Sequence, residues 1–102
     1  MLTSRTMKLK NKEPLCRIVE DRNEIFVYGE RKHLALKEFQ IVAYLKKINK
    51  TVTREDLIDE VWAGDDSVDI RTVDQHVCRL RRKVGFNIVE SVPGVGYRIA
   101  AL

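Results

Sequence analysis

The sequence predicts a small α+β domain in which short strands come first, three helices follow and a hairpin closes the chain. Three observations carry this. Residues 15–28 hold two runs of strand-forming side chains around a polar tetrapeptide. Three segments between Leu36 and Val84 place apolar residues at helical spacing. Finally, Pro93-Gly94-Val95-Gly96 separates two further extended runs. With 102 residues, 44% of them hydrophobic, the chain can build one core and not two. Its 33% of charged residues is ordinary for a globular chain and unlike a disordered one. No apolar run nears the roughly 20 residues that span a bilayer, and the basic N-terminus lacks the apolar centre of a secretory signal. Two cysteines, Cys16 and Cys78, make neither a disulfide framework nor a zinc site, which points to a reducing, cytoplasmic setting.

Residues 1–14 have no apolar periodicity and are expected to be a flexible lead-in or linker, leaving residues 15–102 as the domain. Leu15-Cys16-Arg17-Ile18-Val19 and Glu24-Ile25-Phe26-Val27-Tyr28 read as strands joined by a turn at Glu20-Asp21-Arg22-Asn23. Gly29 ends the second, and Arg31 to Leu34 supplies a third, giving an N-terminal antiparallel sheet. From Leu36 to Ile48 the pattern is helical, with Leu36, Phe39, Val42 and Ala43 on one face and Ile41, Leu45 and Ile48 on another. A helix apolar around most of its circumference is a central one. Asn49 is a candidate C-cap.

The second helix starts at Thr53, with Asp56 completing a capping box and Val52 and Leu57 a hydrophobic staple. Leu57, Ile58 and Val61 point inward, Arg54, Glu55, Asp59 and Glu60 toward water, and Trp62 stands at the end. After an acidic loop at residues 63–68, Asp69 caps the third helix. Ile70, Val73, Val77, Leu80 and Val84 recur at intervals of three and four, a single narrow stripe, and Gly85 follows. Residues 88–92 and 97–100 form the hairpin around residues 93–96. A helix pair followed by a hairpin is a winged helix-turn-helix.

Charge is uneven along this order. Residues 51–68 hold six acidic side chains and one basic one; residues 69–86 hold five basic and two acidic. At about 100° per residue, Arg71, Gln75, Cys78, Arg79 and Arg82 fall opposite the apolar stripe, with Thr72 and His76 on one flank and Arg81 on the other. A helix made only for solubility interleaves the signs. Arginine bonds guanine bidentately and glutamine bonds adenine likewise, while hydroxyl and imidazole groups suit phosphates. The pattern favours DNA binding over a merely solvated basic face.

At these residues the sequence resembles the DNA-binding effector domain of the OmpR/PhoB family of bacterial two-component response regulators. The resemblance runs from about Leu15 to Ile99. Its pieces are Leu34-Ala35-Leu36-Lys37-Glu38-Phe39, Val52-Thr53-Arg54-Glu55-Asp56-Leu57 with Val61-Trp62, the run from Arg71 to Lys83, and Gly94-Val95-Gly96-Tyr97-Arg98. It implies that the third helix enters the major groove of double-stranded DNA, with Asp74, Gln75 and Arg79 facing bases. It implies backbone contacts from Trp62, Arg71, Thr72, His76, Arg81, Ser91 and Tyr97, and Arg82 on the same solvent face joins them. It implies that Gly64, Asp65 and Asp66 in the acidic loop meet RNA polymerase. It also implies head-to-tail homodimers on direct repeats, and either a receiver domain N-terminal to this segment or a rarer stand-alone or membrane-tethered relative.

Three positions depart from the family. Ala35 stands where Thr is usual and offers no capping oxygen, a weakening of about 1 kcal/mol. Cys78 stands where a basic residue is common. Pro93 stands where many members have a wing Arg for the minor groove; having neither charge nor N–H, it shifts the expected reading onto the third helix.

No catalytic site, metal site or cofactor is expected. His33 and His76 lie on different elements and near no nucleophile pattern. Gly94-Val95-Gly96 precedes no helix and is not a phosphate loop. The rival reading is a winged helix used for protein–protein contact, its basic helix meeting an acidic partner. Gln75 beside Arg79 suits base edges better than a merely acidic surface.

Overall fold

In the computed structural model, residues 16–19 and 23–100 are described; the expected lead-in, Leu15 and the tetrapeptide up to Arg22 lie outside them. Strands β1 (Cys16–Val19), β2 (Glu24–Val27) and β3 (Glu30–His33) form an antiparallel sheet in that order. Ile25 and Val27 point into the core from β2. The third strand lies one residue earlier than the sequence suggested, because Tyr28 belongs to a turn and not to β2. Tyr28 and Gly29 both take positive φ, 53° and 82°, the backbone of a two-residue hairpin, which sets Val27 opposite Glu30.

Helix α1 (Leu36–Ile48) buries Phe39, Ile41, Val42 and Leu45 and ends at left-handed Asn49, as expected. Leu36 departs: it is 53% exposed and belongs to no apolar face. Ala35 supplies no capping oxygen, but Glu38 Oε1 accepts from the Ala35 N–H at 3.0 Å, so half of a capping box survives. Strand β4 (Val52–Thr53) leads into helix α2 (Arg54–Val61). The box there is complete: Asp56 N–H donates to Thr53 Oγ1 at 3.0 Å, and Thr53 N–H to Asp56 Oδ2 at 3.4 Å. Helix α3 (Ile70–Val84) is capped by Asp69, which accepts from Thr72 N–H at 3.1 Å. Its buried stripe is Val73, Val77, Leu80 and Val84. Ile70, in the first turn and about 60° round from Val73, is 45% exposed and drops out of it.

Strands β5 (Val89–Val92) and β6 (Gly96–Ile99) form the hairpin. Val95 N–H donates to the Val92 carbonyl at 3.0 Å across the turn, so Gly96 opens a strand and does not end the turn. The second sheet runs β4-β6-β5. Its β4–β6 seam was not legible in the sequence. Val52 pairs with Tyr97 and Thr53 with Gly96, which ties the wing to the start of α2. A Cβ on Gly96 would lie 2.0 Å from the Val52 carbonyl oxygen and 2.9 Å from Thr53 Cα. Only glycine permits this approach.

One charged pair is built into the packing. Glu38, 3% exposed on α1, accepts from Lys83 Nζ of α3 at 2.7 Å. Burial by itself would raise the Glu38 carboxyl. Hydrogen bonds from Lys83 and the Ala35 amide, with the Lys83 charge, outweigh it and hold the group below its ordinary value.

Two predictions follow from these packing constraints. Gly96→Ala should lower stability by roughly 1–3 kcal/mol or more, as overpacking does, read as a melting shift of roughly 4–8 °C per kcal/mol. Gly94→Ala, at positive φ but with nothing within 4 Å of the added Cβ, should shift melting less. Glu38, with its folded value depressed, adds stability that is full above the ordinary value near 4.5 and lost as pH falls through the folded value. Glu38→Gln should therefore flatten the fall of melting temperature in acid; an unchanged acid slope would show that the pair contributes nothing to it.

Candidate nucleic-acid interface

Helix α3 carries three kinds of surface around its buried stripe. One flank, formed by Asp74 and Arg81, faces the wing. Asp74 Oδ1 accepts from Tyr97 Oη–H at 2.5 Å and from Arg54 Nε–H at 2.8 Å. Arg81 donates from Nε to the Val89 carbonyl at 3.0 Å and from Nη2 to Ser91 Oγ at 2.8 Å. The guanidinium carbons of Arg54 and Arg81 lie 5.5 and 5.4 Å from the centre of the Tyr97 ring, within the range of cation–π attraction. Tyr97 itself is 5% exposed.

These contacts set the charges. Burial would raise the Asp74 carboxyl, but hydrogen bonds from Tyr97 and Arg54, and the charges of Arg54 and Arg81, pull it below its ordinary value. Burial and the bond to Asp74 push the Tyr97 phenol up. Asp74 is thus an anion, and Tyr97 its neutral donor, across the neutral pH range.

The other flank meets the end of α2 and α1. His76 packs edge-on against Trp62, ring centres 5.2 Å apart, and Lys37 Nζ stands 5.7 Å from the Trp62 ring while donating to the Val61 carbonyl. His76 Nδ1 lies 2.9 Å from the Thr72 carbonyl oxygen. A carbonyl only accepts, so the proton is assigned to Nδ1, and Nε2 donates only when the ring is doubly protonated. Trp62, at the end of α2, is half-buried as part of the packing. Helix α2 therefore crosses α3, with Arg54 at one flank and Trp62 at the other.

Between the flanks, Arg71, Gln75, Cys78, Arg79 and Arg82 are exposed, and their side chains have no partner among the described residues. This band matches the face read from the sequence. Two of the five bases in residues 69–86 are not part of it: Lys83 is held by Glu38 and Arg81 by the wing. Arg54, expected to face water, is instead the partner of Asp74. Its one signal was being the lone base among six acids in residues 51–68.

The wing tip, Pro93-Gly94-Val95, is exposed and without charge. Behind it Arg98 donates to Glu90 Oε1 at 2.7 Å. In the α2–α3 loop, Asp65 Oδ1 accepts from Ser67 N–H and Oγ–H at 2.9 and 2.7 Å; these bonds hold its carboxyl below the ordinary value and shape the loop. Asp66 is exposed. Among the described residues no group of three or more His, Cys, Asp or Glu is placed to hold a metal ion, and no helix is long and apolar enough to cross a membrane.

Comparison with known proteins agrees with this geometry. Residues 29–99 match the family described as transcriptional regulatory protein, C terminal. The chain is 37% identical over 79 residues to the transcriptional regulatory protein VxrB of Vibrio cholerae, covering 76% of this chain and 32% of the relative. It spans about a third of the length of the curated relatives it matches. Among solved structures, the DNA-binding domain of Bacillus subtilis CssR is 35% identical, with a TM-score of 0.71 over 82% of this chain and 98% of that one. The DNA-binding domain of the response regulator AdeR, solved in complex with an intercistronic region, is 27% identical, with a TM-score of 0.74 over 88% and 98%. The strand order, the crossed helix pair, the hairpin wing and the matched span agree, and the chain belongs to the transcriptional regulatory protein C-terminal family, as a winged helix-turn-helix of the OmpR/PhoB response-regulator type.

Proposed function

We propose that this domain binds double-stranded DNA sequence-specifically with α3 in the major groove. The observation that carries the reading is the band of Arg71, Gln75, Arg79 and Arg82, without partners among the described residues and held outward between two pinned flanks. A helix about 10–12 Å across fits the groove. Gln75 and Arg79 offer the bidentate donors that adenine and guanine accept. Arg71, Thr72, Arg82 and the Arg81–Ser91 pair suit phosphates, with Trp62, His76 and Tyr97 shaping the rim that meets the backbone. Asp74 keeps one unoccupied carboxylate oxygen as its means of meeting a base. The similarity to AdeR's domain, whose structure contains DNA, supports the same use here.

The wider arrangement belongs to the same proposal. Two copies bind direct repeats head to tail, a receiver domain stands N-terminal in the full-length protein, and the loop at Gly64, Asp65 and Asp66 meets RNA polymerase. In that loop both Asp65 and Asp66 carry charge, and the bonds from Ser67 to Asp65 also shape the loop. The curated relatives, more than twice as long as this chain, have the length for a further domain.

Selection from a random DNA pool would supply the cognate site for the tests. On it, Arg79→Ala should lose about 1–3 kcal/mol while losing far less on random DNA. Arg82→Ala should weaken both about equally and make the log–log salt slope shallower by about one. Equal losses on both DNAs for the two variants would refute the division into reader and anchor.

The wing gives a second test. Pro93 offers no cation to the negative potential of a narrow A-tract groove. Pro93→Arg should raise affinity, steepen the salt slope by about one unit, and create a preference for A·T-rich flanks. A folded variant that gains none of these would show that the wing tip does not face the minor groove.

A further inference from the structure

An acidic side chain on a helix that faces phosphates works against binding, so Asp74 calls for a reason. Of the two acids in residues 69–86, Asp69 has one, since it caps α3. Asp74 cannot be explained by the cap, nor chiefly by base reading: its Oδ1 is already taken by two donors, Tyr97 Oη–H and Arg54 Nε–H. Arg54 stands at the first residue of α2, where the chain leaves the β4–β6 seam, with its side chain 29% exposed. It is a long cation beside the reading helix and within reach of the same surface. Asp74 turns it inward along the Tyr97 ring.

We propose that Asp74 is a positioning residue that withholds Arg54 from DNA phosphates, so that sequence-independent affinity stays low and discrimination rests on Gln75 and Arg79. This inference rests on the reading of α3 as the DNA-facing helix. The mechanism is electrostatic. Every freed cation that neutralises a phosphate adds affinity on any DNA, cognate or not. It therefore lowers the ratio of specific to non-specific binding even while it raises both. A carboxylate that holds such a cation in an ion pair restores that ratio without touching a base.

The test is a cycle on Asp74→Asn and Arg54→Met, with binding to the selected site and to random DNA measured over a range of salt. Asparagine has the shape of aspartate and keeps a carbonyl oxygen for Tyr97. Asp74→Asn should raise affinity for random DNA roughly five- to tenfold at about 0.1 M salt and steepen the slope by about one, as one added phosphate contact does. The cognate-to-random ratio should fall. Adding Arg54→Met should cancel the gain, while Arg54→Met alone should leave random-DNA affinity within about twofold.

Three results would overturn the proposal, and a fourth comes from comparison with Arg79→Ala. The first is a loss confined to one base pair of the cognate site with random binding unchanged, the mark of a base reader. The second is a gain that persists in the double variant, which would come from deleting the negative charge alone. The third is a drop in random-DNA binding in Arg54→Met itself, which needs no Asp74 variant to fold. Arg79→Ala run alongside separates the two levels. If it too leaves discrimination intact, the placement of α3 has failed, whereas intact discrimination only in Asp74→Asn removes this inference alone.

Discussion

The arrangement of the binding surface depends on one close backbone approach, that of β6 to β4 at Gly96. With a Val52 carbonyl 2.0 Å from where a Cβ would stand, the seam exists only because the residue has no side chain. The seam puts Tyr97 opposite Val52, two residues before α2 begins. Arg54 then emerges beside the Tyr97 ring, and the Tyr97 hydroxyl reaches Asp74 on α3. Wing, α2 and α3 are thus fixed to one another at a single corner. A short strand of two residues contributes little cohesion of its own; its value lies in what it aligns.

From that corner, α3 is held on three sides and open on the fourth. Val73, Val77, Leu80 and Val84 anchor it from below. Arg81 and Asp74 clamp it to the wing, while His76 and Lys83 clamp it to Trp62 and Glu38. A reading surface must be held to within a fraction of an ångström by supports that are themselves locked. Here the supports are largely charged or aromatic groups with named partners, and apolar packing alone would leave the helix free to rock about its axis.

How much of this was legible in the sequence follows the distance between partners along the chain. Thr53 with Asp56, Asp69 with Thr72, and Asn49 at the end of α1 act within one turn, and a sequence shows such pairs directly. The apolar stripe of α3 is likewise periodic. Arg54 with Asp74 spans 20 residues and Lys83 with Glu38 spans 45; no local pattern announces them. Gly96 read as a turn residue because its reason lies in Val52, far upstream. Leu36 and Ile70 show a subtler limit, since an apolar side chain in a helix's first turn extends the periodicity whether or not another element covers it.

The same distinction governs what the charge means. A count gives five bases in residues 69–86, and helical spacing gives the face each one starts from, but neither shows which of them is already bound. The structure separates them by occupation: Lys83 bound to Glu38, Arg81 bound to the wing, and Arg71, Arg79 and Arg82 without a partner among the described residues. Exchanging a bound side-chain partner for a phosphate returns less than engaging a free cation, because the first bond must be broken. Net charge along the helix therefore overstates its pull on a polyanion. The electrostatic attraction that counts comes from three arginines on one exposed band. Those arginines lie on the same exposed face as Gln75, so that in the proposed binding mode anchoring and reading act through a single rigid surface.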